Sequence, residues 1–366
     1  MKRFKILLVS LILLLYTSNV GVKADIPILS SKSAVLMDAA SGRILLENNP
    51  HQKLPMASTT KIMTAIVALE YGNLDDIVTI PPEASGIEGS SIWLSIGEEQ
   101  RLEDLLYGLM LRSGNDAAMA IALHISGSVE DFSSLMNKTA KRIGANKSNF
   151  TNPHGLHDEN HYTTAYDLAL ITSYGLRNPN FRNIVATKQR TIPWPGNEWD
   201  RAMRNKNKLL WQYEGANGVK TGFTKAAGRC LVSSAVRDNL QLVAVVLNCG
   251  PMFEESIEML DYGFSNYRAN LLFDKSQLVA NIDVKGGKEK QVSVIAVEDF
   301  YLALKEGEYS KIRIVNELPG TVKAPIIKGQ QAGVGQVFYE NQLVKEIPLL
   351  YKDTVEKKSF WDFLFK

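Results

Sequence analysis

Along residues 33–50 apolar and polar side chains alternate about a Ser41-Gly42 turn, with Ala34-Val35-Leu36-Met37 before it and Arg43-Ile44-Leu45-Leu46 after it, which predicts a β-hairpin. From Ser58 the period lengthens to that of a helix: Ile62, Met63, Ile66 and Leu69 share one face, and Gly72-Asn73 ends it. Leu102 to Ile125 reads as two helices broken at Ser113-Gly114-Asn115. Ser128 and Asp131 form a capping-box pattern ahead of a helix with Phe132, Leu135, Met136 and Ile143 on one face, and Thr164 with Asp167 opens another. After about Leu209 strands return, and Phe253 to Phe264 predicts a last helix packed back on them. Strands at both ends with helices between them give an α+β unit over about 25–268.

From about Ser276 the texture is different. Gln277–Val284 and Gln291–Val297 alternate around Lys285-Gly286-Gly287-Lys288, and shorter alternating stretches follow at Lys311–Val315, Gln336–Tyr339 and Leu343–Ile347. This predicts a small all-β C-terminal domain over 275–350 that carries no cluster of reactive side chains. Two folding units suit a chain of 366 residues.

The two ends have their own signatures. Residues 1–24 read as a signal peptide, with Lys2, Arg3 and Lys5 ahead of an apolar run from Ile6 to Leu15 and Val22-Lys23-Ala24 at the cleavage site. The run is about half the ~20 residues of a spanning helix, which argues against an uncleaved anchor. At the other end, Phe360, Trp361, Phe363, Leu364 and Phe365 cover one arc of a helix, so 354–366 is expected to be an amphipathic segment lying on a membrane surface. The whole chain carries 41 basic and 39 acidic residues, a net +2. Export removes four bases and no acid, and nothing in this balance marks a nucleic-acid partner. Cys230 and Cys249 fall in two apolar runs joined by Arg237-Asp238-Asn239. A two-residue turn there sets Cys230 opposite Leu247 and only diagonal to Cys249, at ~7 Å, so two buried free thiols are expected.

Three short motifs carry the chemistry: Ser58-Thr59-Thr60-Lys61, Ser113-Gly114-Asn115 and Lys220-Thr221-Gly222. Ser58 and Lys61 stand at i and i+3 in the first turn of a helix and so share a face. A serine hydroxyl needs a base to take its proton, and a lysine whose pKa is lowered by desolvation and nearby positive charge is one. The helix N-terminus adds positive potential and free N–H groups for an oxyanion. Ser113 and Asn115 sit at a helix break, able to face a cleft. Lys220-Thr221-Gly222 falls on an expected edge strand, offering a charge, a hydroxyl and a backbone that a ligand can approach closely.

Taken singly these strings are weak; in this order, behind an export signal, they resemble the motif trio of β-lactamases and penicillin-binding proteins. The words around them, Pro55-Met56-Ala57-Ser58-Thr59-Thr60-Lys61, Leu111-Arg112-Ser113-Gly114-Asn115-Asp116, Asn152-Pro153-His154-Gly155-Leu156 and Lys220-Thr221-Gly222-Phe223-Thr224, are similar to the low-molecular-mass D-alanyl-D-alanine carboxypeptidases of the S11 serine peptidases, and within them to the sporulation-associated Gram-positive type. The resemblance implies a serine β-lactamase/transpeptidase-like domain. It implies Ser58 as nucleophile, Lys61 as base and Ser113 as proton relay. It further implies Asn115 on the substrate amide, Lys220 and Thr221 on the terminal carboxylate, and an oxyanion hole from the N–H groups of Ser58 and Phe223 beside Gly222. The implied partners are peptidoglycan stems ending in D-Ala-D-Ala, β-lactams as covalent inhibitors and the outer face of the cytoplasmic membrane; no cofactor and no metal is implied. One departure stands out: some relatives carry a carboxylate-binding arginine before the last helix, whereas this chain reads Gly250-Pro251-Met252-Phe253-Glu254.

Rival chemistries fare less well. His154, His157 and His161 cluster, but Asn152-Pro153 and Gly155 make their segment a loop, without the HExxH pattern of zinc hydrolases or a nucleophile elbow for a Ser-His-Asp triad. Within the serine class the alternatives are a β-lactamase, for which no glutamate-bearing loop is present, and an endopeptidase or transpeptidase of the same fold. A non-catalytic wall-binding protein would have no need of the Ser58–Lys61 pair.

Overall fold

The first hairpin is formed as expected by β1 (Ser33–Asp38) and β2 (Ile44–Asn48), antiparallel, in a computed structural model that describes residues 24–275 and 277–359. The expected export signal through Lys23 and the apolar tail from Phe360 lie outside the described residues. After a 3-10 turn at Ala57–Thr60, α1 (Lys61–Tyr71) is followed by a two-stranded ribbon of β3 (Ile77–Thr79) and β4 (Glu99–Arg101). Next, α2 (Leu102–Tyr107) runs through a π turn at Gly108–Arg112 and breaks at Ser113, and α3 (Asn115–Ser126) resumes. The helix α4 (Val129–Ile143) starts where the capping pair places it, with Ser128 Oγ accepting the Asp131 N–H at 3.0 Å, and α5 (Ala165–Gly175) starts the same way on Thr164.

Beyond α6 (Pro179–Ala186) the chain departs from the expected pattern. The hairpin β5 (Gln189–Ile192) and β6 (Arg201–Arg204) and the short α7 (Leu209–Gln212) come before the strands β7 (Ala216–Thr224), β8 (Gly228–Arg237) and β9 (Leu240–Leu247). The helix α8 (Met252–Asn266) closes the domain. All pairings in the sheet, ordered β2-β1-β9-β8-β7, are antiparallel, so β7 is an edge strand, as the motif it carries required.

The central strands are buried on both faces. Val35, Met37, Val243 and Val245 enter the core shared with α1, α3 and α5, while the alternating Leu36, Leu242, Ala244 and Val246 enter the core under α8. The register sets Arg237 opposite Leu240 and Leu231 opposite Val246, which puts Cys230 opposite Leu247. Both cysteines are free and buried, and burial pushes their thiols up to about 11 and about 12.

The C-terminal module begins with β10 (Arg268–Phe273), to which β13 (Phe300–Leu304) pairs. Its main sheet comprises β11 (Leu278–Lys285), β12 (Gln291–Ala296), β14 (Ile312–Glu317), β15 (Thr321–Lys323), β16 (Gln331–Tyr339) and β17 (Gln342–Tyr351) around their own apolar core. The expected C-terminal helix is corrected at its start: Val355 and Lys357 make extended bridges to Ile326 and Gly287, because the buried Val355 side chain completes the module's core.

The module docks on the turn of the first hairpin, at the opposite edge of the sheet from β7. Arg43 donates to both oxygens of Glu308 at 2.9 Å, to the Ala303 carbonyl and to the Tyr339 hydroxyl, with its guanidinium 4.0 Å from the centre of the Tyr339 ring. Burial pushes the Glu308 carboxyl up, but Arg43 and the Lys305 N–H outweigh it and hold the group at about 2. Replacing Glu308 with Gln leaves a mostly buried guanidinium without its counter-charge. Glu308→Gln is expected to lower stability by about 1–3 kcal/mol in urea unfolding while leaving penicillin acylation unchanged.

Candidate active site

The turn ahead of α1 is held rigid by its own threonines. Thr59 Oγ1 donates to the Met56 carbonyl at 2.6 Å and Thr60 Oγ1 to the Ala57 carbonyl at 2.8 Å. The ring of His161 backs the second of these. Its Nδ1 accepts the Thr151 N–H at 3.0 Å, so Nε2 carries the proton and donates to Thr60 Oγ1 at 2.7 Å. Burial lowers His161 to about 4, so the ring is neutral. Gly155 approaches the same turn with φ +86°; a Cβ there would lie 2.0 Å from the Ala57 oxygen. The histidine-rich loop is therefore a buttress beneath the serine turn.

Ser58 and Lys61 meet on this turn as their spacing predicts. Lys61 Nζ lies 3.0 Å from Ser58 Oγ, and it donates to Asn115 Oδ1 at 2.7 Å and to the His154 carbonyl. The lysine is fully buried. Burial, then repulsion from Lys220 and Lys206, drives its pKa well below the usual lysine range, against a weaker opposing pull from Asp116. A neutral amine has two protons and one lone pair. The two carbonyl oxygens take the two protons, so the lone pair is left facing the Ser58 hydroxyl.

The helix break delivers the second motif. Ser113 adopts φ +66° between the π turn and α3, which turns its chain toward the cleft. Asn115 is buried below, its Nδ2 donating to the Glu88 carbonyl and its backbone N–H to the Ser90 carbonyl. Asp116 pins the preceding loop by accepting from Ser91 Oγ and from the N–H groups of Ile92 and Leu94.

The third motif arrives on β7, which lies against the serine turn. A Cβ on Gly222 would stand 3.0 Å from the Ser58 nitrogen, so glycine is what lets strand and turn come this close. Thr221 and the exposed Phe223 flank it, while Lys220 is buried with Nζ donating to the Thr221 carbonyl at 3.0 Å. Burial, then repulsion from Lys206, lowers Lys220 to about 7.

A cleft of about 410 Å³ opens over these groups, with Ser58, Ser113, Thr221, Gly222 and Phe223 on its walls. Two cations that the motif reading missed share it. Lys206 donates to Ser90 Oγ at 2.9 Å, and burial, then Arg112, lowers its pKa. Arg229, opposite Phe223 in the β7–β8 register, donates to the Gly250 carbonyl at 3.2 Å. It stands at the segment that lacks an arginine of its own. No string around either residue announces a role; β8 carries Arg229 there, and the loop after β6, tied through the Lys206 N–H to the Leu111 carbonyl, carries Lys206. Among the described residues no group of three or more His, Cys, Asp or Glu side chains converges as a metal site.

Comparison with known proteins agrees with this geometry. Residues 20–250 match a family described as D-alanyl-D-alanine carboxypeptidase, peptidase S11, and residues 267–357 match the C-terminal domain of penicillin-binding protein 5. The chain is 34% identical to the D-alanyl-D-alanine carboxypeptidase DacF of Bacillus subtilis over 91% of its own length and 88% of the relative's. It superposes on penicillin-binding protein 5 of Haemophilus influenzae with a TM-score of 0.71 at 31% identity, covering 90% of this chain and 99% of that one. A mutant of the Streptomyces K15 DD-transpeptidase gives a TM-score of 0.62 at 32% identity, over 65% of this chain and 99% of that one. With a penicillin-binding transpeptidase-like domain followed by an all-β domain, and family matches across both, this chain belongs to the peptidase S11 family of D-alanyl-D-alanine carboxypeptidases.

Proposed function

We propose that the protein is a serine-type D-alanyl-D-alanine carboxypeptidase that trims the terminal D-Ala from peptidoglycan stems. The observation that carries this reading is the buried Lys61 amine 3.0 Å from Ser58 Oγ, with its other two directions taken by carbonyl oxygens. Ser58 Oγ attacks the penultimate D-Ala carbonyl as its proton passes to Lys61 Nζ. The oxyanion is held by the N–H groups of Ser58 and Phe223. The C–N bond then breaks, and Ser113 relays a proton to the leaving D-Ala amine. Water, deprotonated by Lys61, hydrolyses the ester and frees Ser58. Asn115 Nδ2 leaves the Glu88 carbonyl for the substrate amide, and the terminal carboxylate meets Lys220, Thr221 and, at the mouth, Arg229. A β-lactam acylates Ser58 by the same first step.

Penicillin exposure followed by intact-mass measurement tests the nucleophile. Ser58→Ala is expected to take up no penicilloyl group, and labelling of that variant would refute the assignment. Lys61→Ala should slow acylation by ~10²–10⁴-fold. Incubation with a D-Ala-D-Ala peptide and an added amino acceptor separates hydrolysis from transpeptidation by the mass of the product.

The two lysines set a pH profile. Lys61 must be neutral, so acylation falls as pH drops through its lowered pKa. Lys220 must be charged to hold a carboxylate, so kcat/KM falls as pH rises through about 7. An arginine keeps its charge throughout this range. Lys220→Arg is therefore expected to have a lower plateau without the alkaline fall, and Lys220→Ala very little activity at any pH.

We place the protein outside the cell, on the outer face of the cytoplasmic membrane. The charged and apolar pattern of residues 1–24 and the aromatic arc of 360–366 support this. Among the described residues no helix is long and apolar enough to cross a membrane. Deleting 360–366, which leaves Val355 in the β-module, is expected to move the active protein from the membrane fraction to the soluble one. Equal partitioning of both chains would remove the anchor.

A further inference from the structure

Two loops beside the cleft carry tryptophans that the core does not use. In the segment Ile92-Trp93-Leu94 both neighbours are buried, while Trp93 is 72% exposed and held at φ +62°, a strained backbone for a bulky side chain. Trp199, in the loop between β5 and β6, is 65% exposed. That loop also carries the half-buried Trp194 and the exposed Asn197 and Asp200.

One buried ion pair fastens the loops to each other. Arg201 and Glu98 lie 3.0 Å apart with side chains 5% and 3% exposed. From there Arg201 donates to the Trp93 carbonyl at 3.2 Å, and its guanidinium sits 4.8 Å from the centre of the Trp194 ring. Gln100 ties the Pro193 carbonyl to the same cluster at 2.8 Å. Desolvating a charge pair is expensive and is a poor way to add stability, but it fixes geometry. What it fixes here is a pair of aromatic loops facing solvent. The first of them is also the wall of the cleft: Ser90, which lines it, is three residues from Trp93, a reach of at most about 11 Å.

We infer that Trp93 and Trp199 form a saccharide-stacking surface that holds the glycan strand to which the stem peptide is attached. The inference rests on the carboxypeptidase reading for its occupant. A pyranose ring presents a flat face of C–H groups to an aromatic plane, and its hydroxyl and acetamido groups need donors and acceptors at the edge, such as Asn197 and Asp200. A five-residue stem spans at most about 17 Å, so a peptide whose end lies at Ser58 places its sugar within reach of these loops. The site would make the enzyme prefer D-Ala-D-Ala borne on glycan to the same peptide free in solution.

The full chain and its Trp93→Ala/Trp199→Ala variant, assayed on a free pentapeptide and on that pentapeptide carried by an uncross-linked glycan chain, test the surface. The variant is expected to lose about tenfold in kcat/KM on the glycan-borne substrate, through KM, with the free peptide and penicillin acylation unchanged. Equal loss on both substrates, or none on the glycan-borne one, overturns the inference. Oligomers of N-acetylglucosamine give a readout independent of hydrolysis: they should shift the tryptophan fluorescence of the native chain and not that of the variant. If the native chain released no D-Ala but bound the oligomers, the carboxypeptidase reading would fail and the saccharide surface would stand. Loss of binding to anionic vesicles in the variant, with no oligomer binding by either chain, would assign the surface to lipid and overturn it.

Discussion

Removing the Lys61 ammonium from water is the constraint around which the catalytic domain is arranged. A buried cation without a carboxylate partner is strongly disfavoured, so the residue gives up its proton instead. Its contacts are amide carbonyls, Asn115 Oδ1 and the His154 oxygen, which bond a neutral amine well and supply no full negative charge. Asp116, the nearby acid, is occupied with the hydroxyl and N–H groups of the loop at Ser91–Leu94. The protein thus satisfies every direction of the lysine except the one facing Ser58, while the repulsion of Lys220 and Lys206 works in the same sense as burial.

That arrangement sets tolerances on the surrounding fold. The serine turn is clamped from below by the Gly155 loop and from the side by β7, and at both places the backbone comes too close for a side chain. The threonine bonds and the neutral His161 ring remove the remaining freedom of the turn. Because β7 is the sheet's edge, its far side is open to a substrate that can add to it in an extended form. The β-module is held at the opposite edge through Arg43, so its docking leaves the cleft untouched.

Much of this was legible in local sequence, and what escaped was tertiary. Ser58 and Lys61 are readable because their contact is one helical turn long, and Ser128 and Thr164 because a cap is satisfied within three residues. The β5–β6 hairpin escaped because Gln-Arg-Thr-Ile and Arg-Ala-Met-Arg bury only alternate residues, among them an arginine whose partner Glu98 is about a hundred positions away. Lys206 and Arg229 escaped for the same reason, since one base among several in Arg-Asn-Lys-Asn-Lys, or at the head of an apolar strand, looks solvated until the fold sets it over a cleft. The start of the C-terminal tail was misread because Val355 finds its apolar neighbours in the β-module, which no helical pattern within 354–366 records.

The two buried lysines also explain how a site with so much positive charge can keep one amine neutral at the moment it is needed. Burial and Lys206 lower Lys220 to about 7, so its charge is only partly present at neutral pH. An incoming carboxylate stabilises the ammonium of Lys220 and raises its pKa. The carboxylate's own negative charge offsets that of the ammonium, so Lys61 then meets a nearly neutral ion pair rather than a second cation. On the proposed mechanism the neutral state of the base therefore rests on burial, the first cause of its lowered pKa, rather than on the charge of Lys220. Arg229, on the wall of the cleft, draws the anion to the mouth without taking part in this exchange. Recognition of the C-terminus and activation of the serine are in this way divided between two amines: the carboxylate charges Lys220 and at once neutralises it, while burial keeps Lys61 free of its proton.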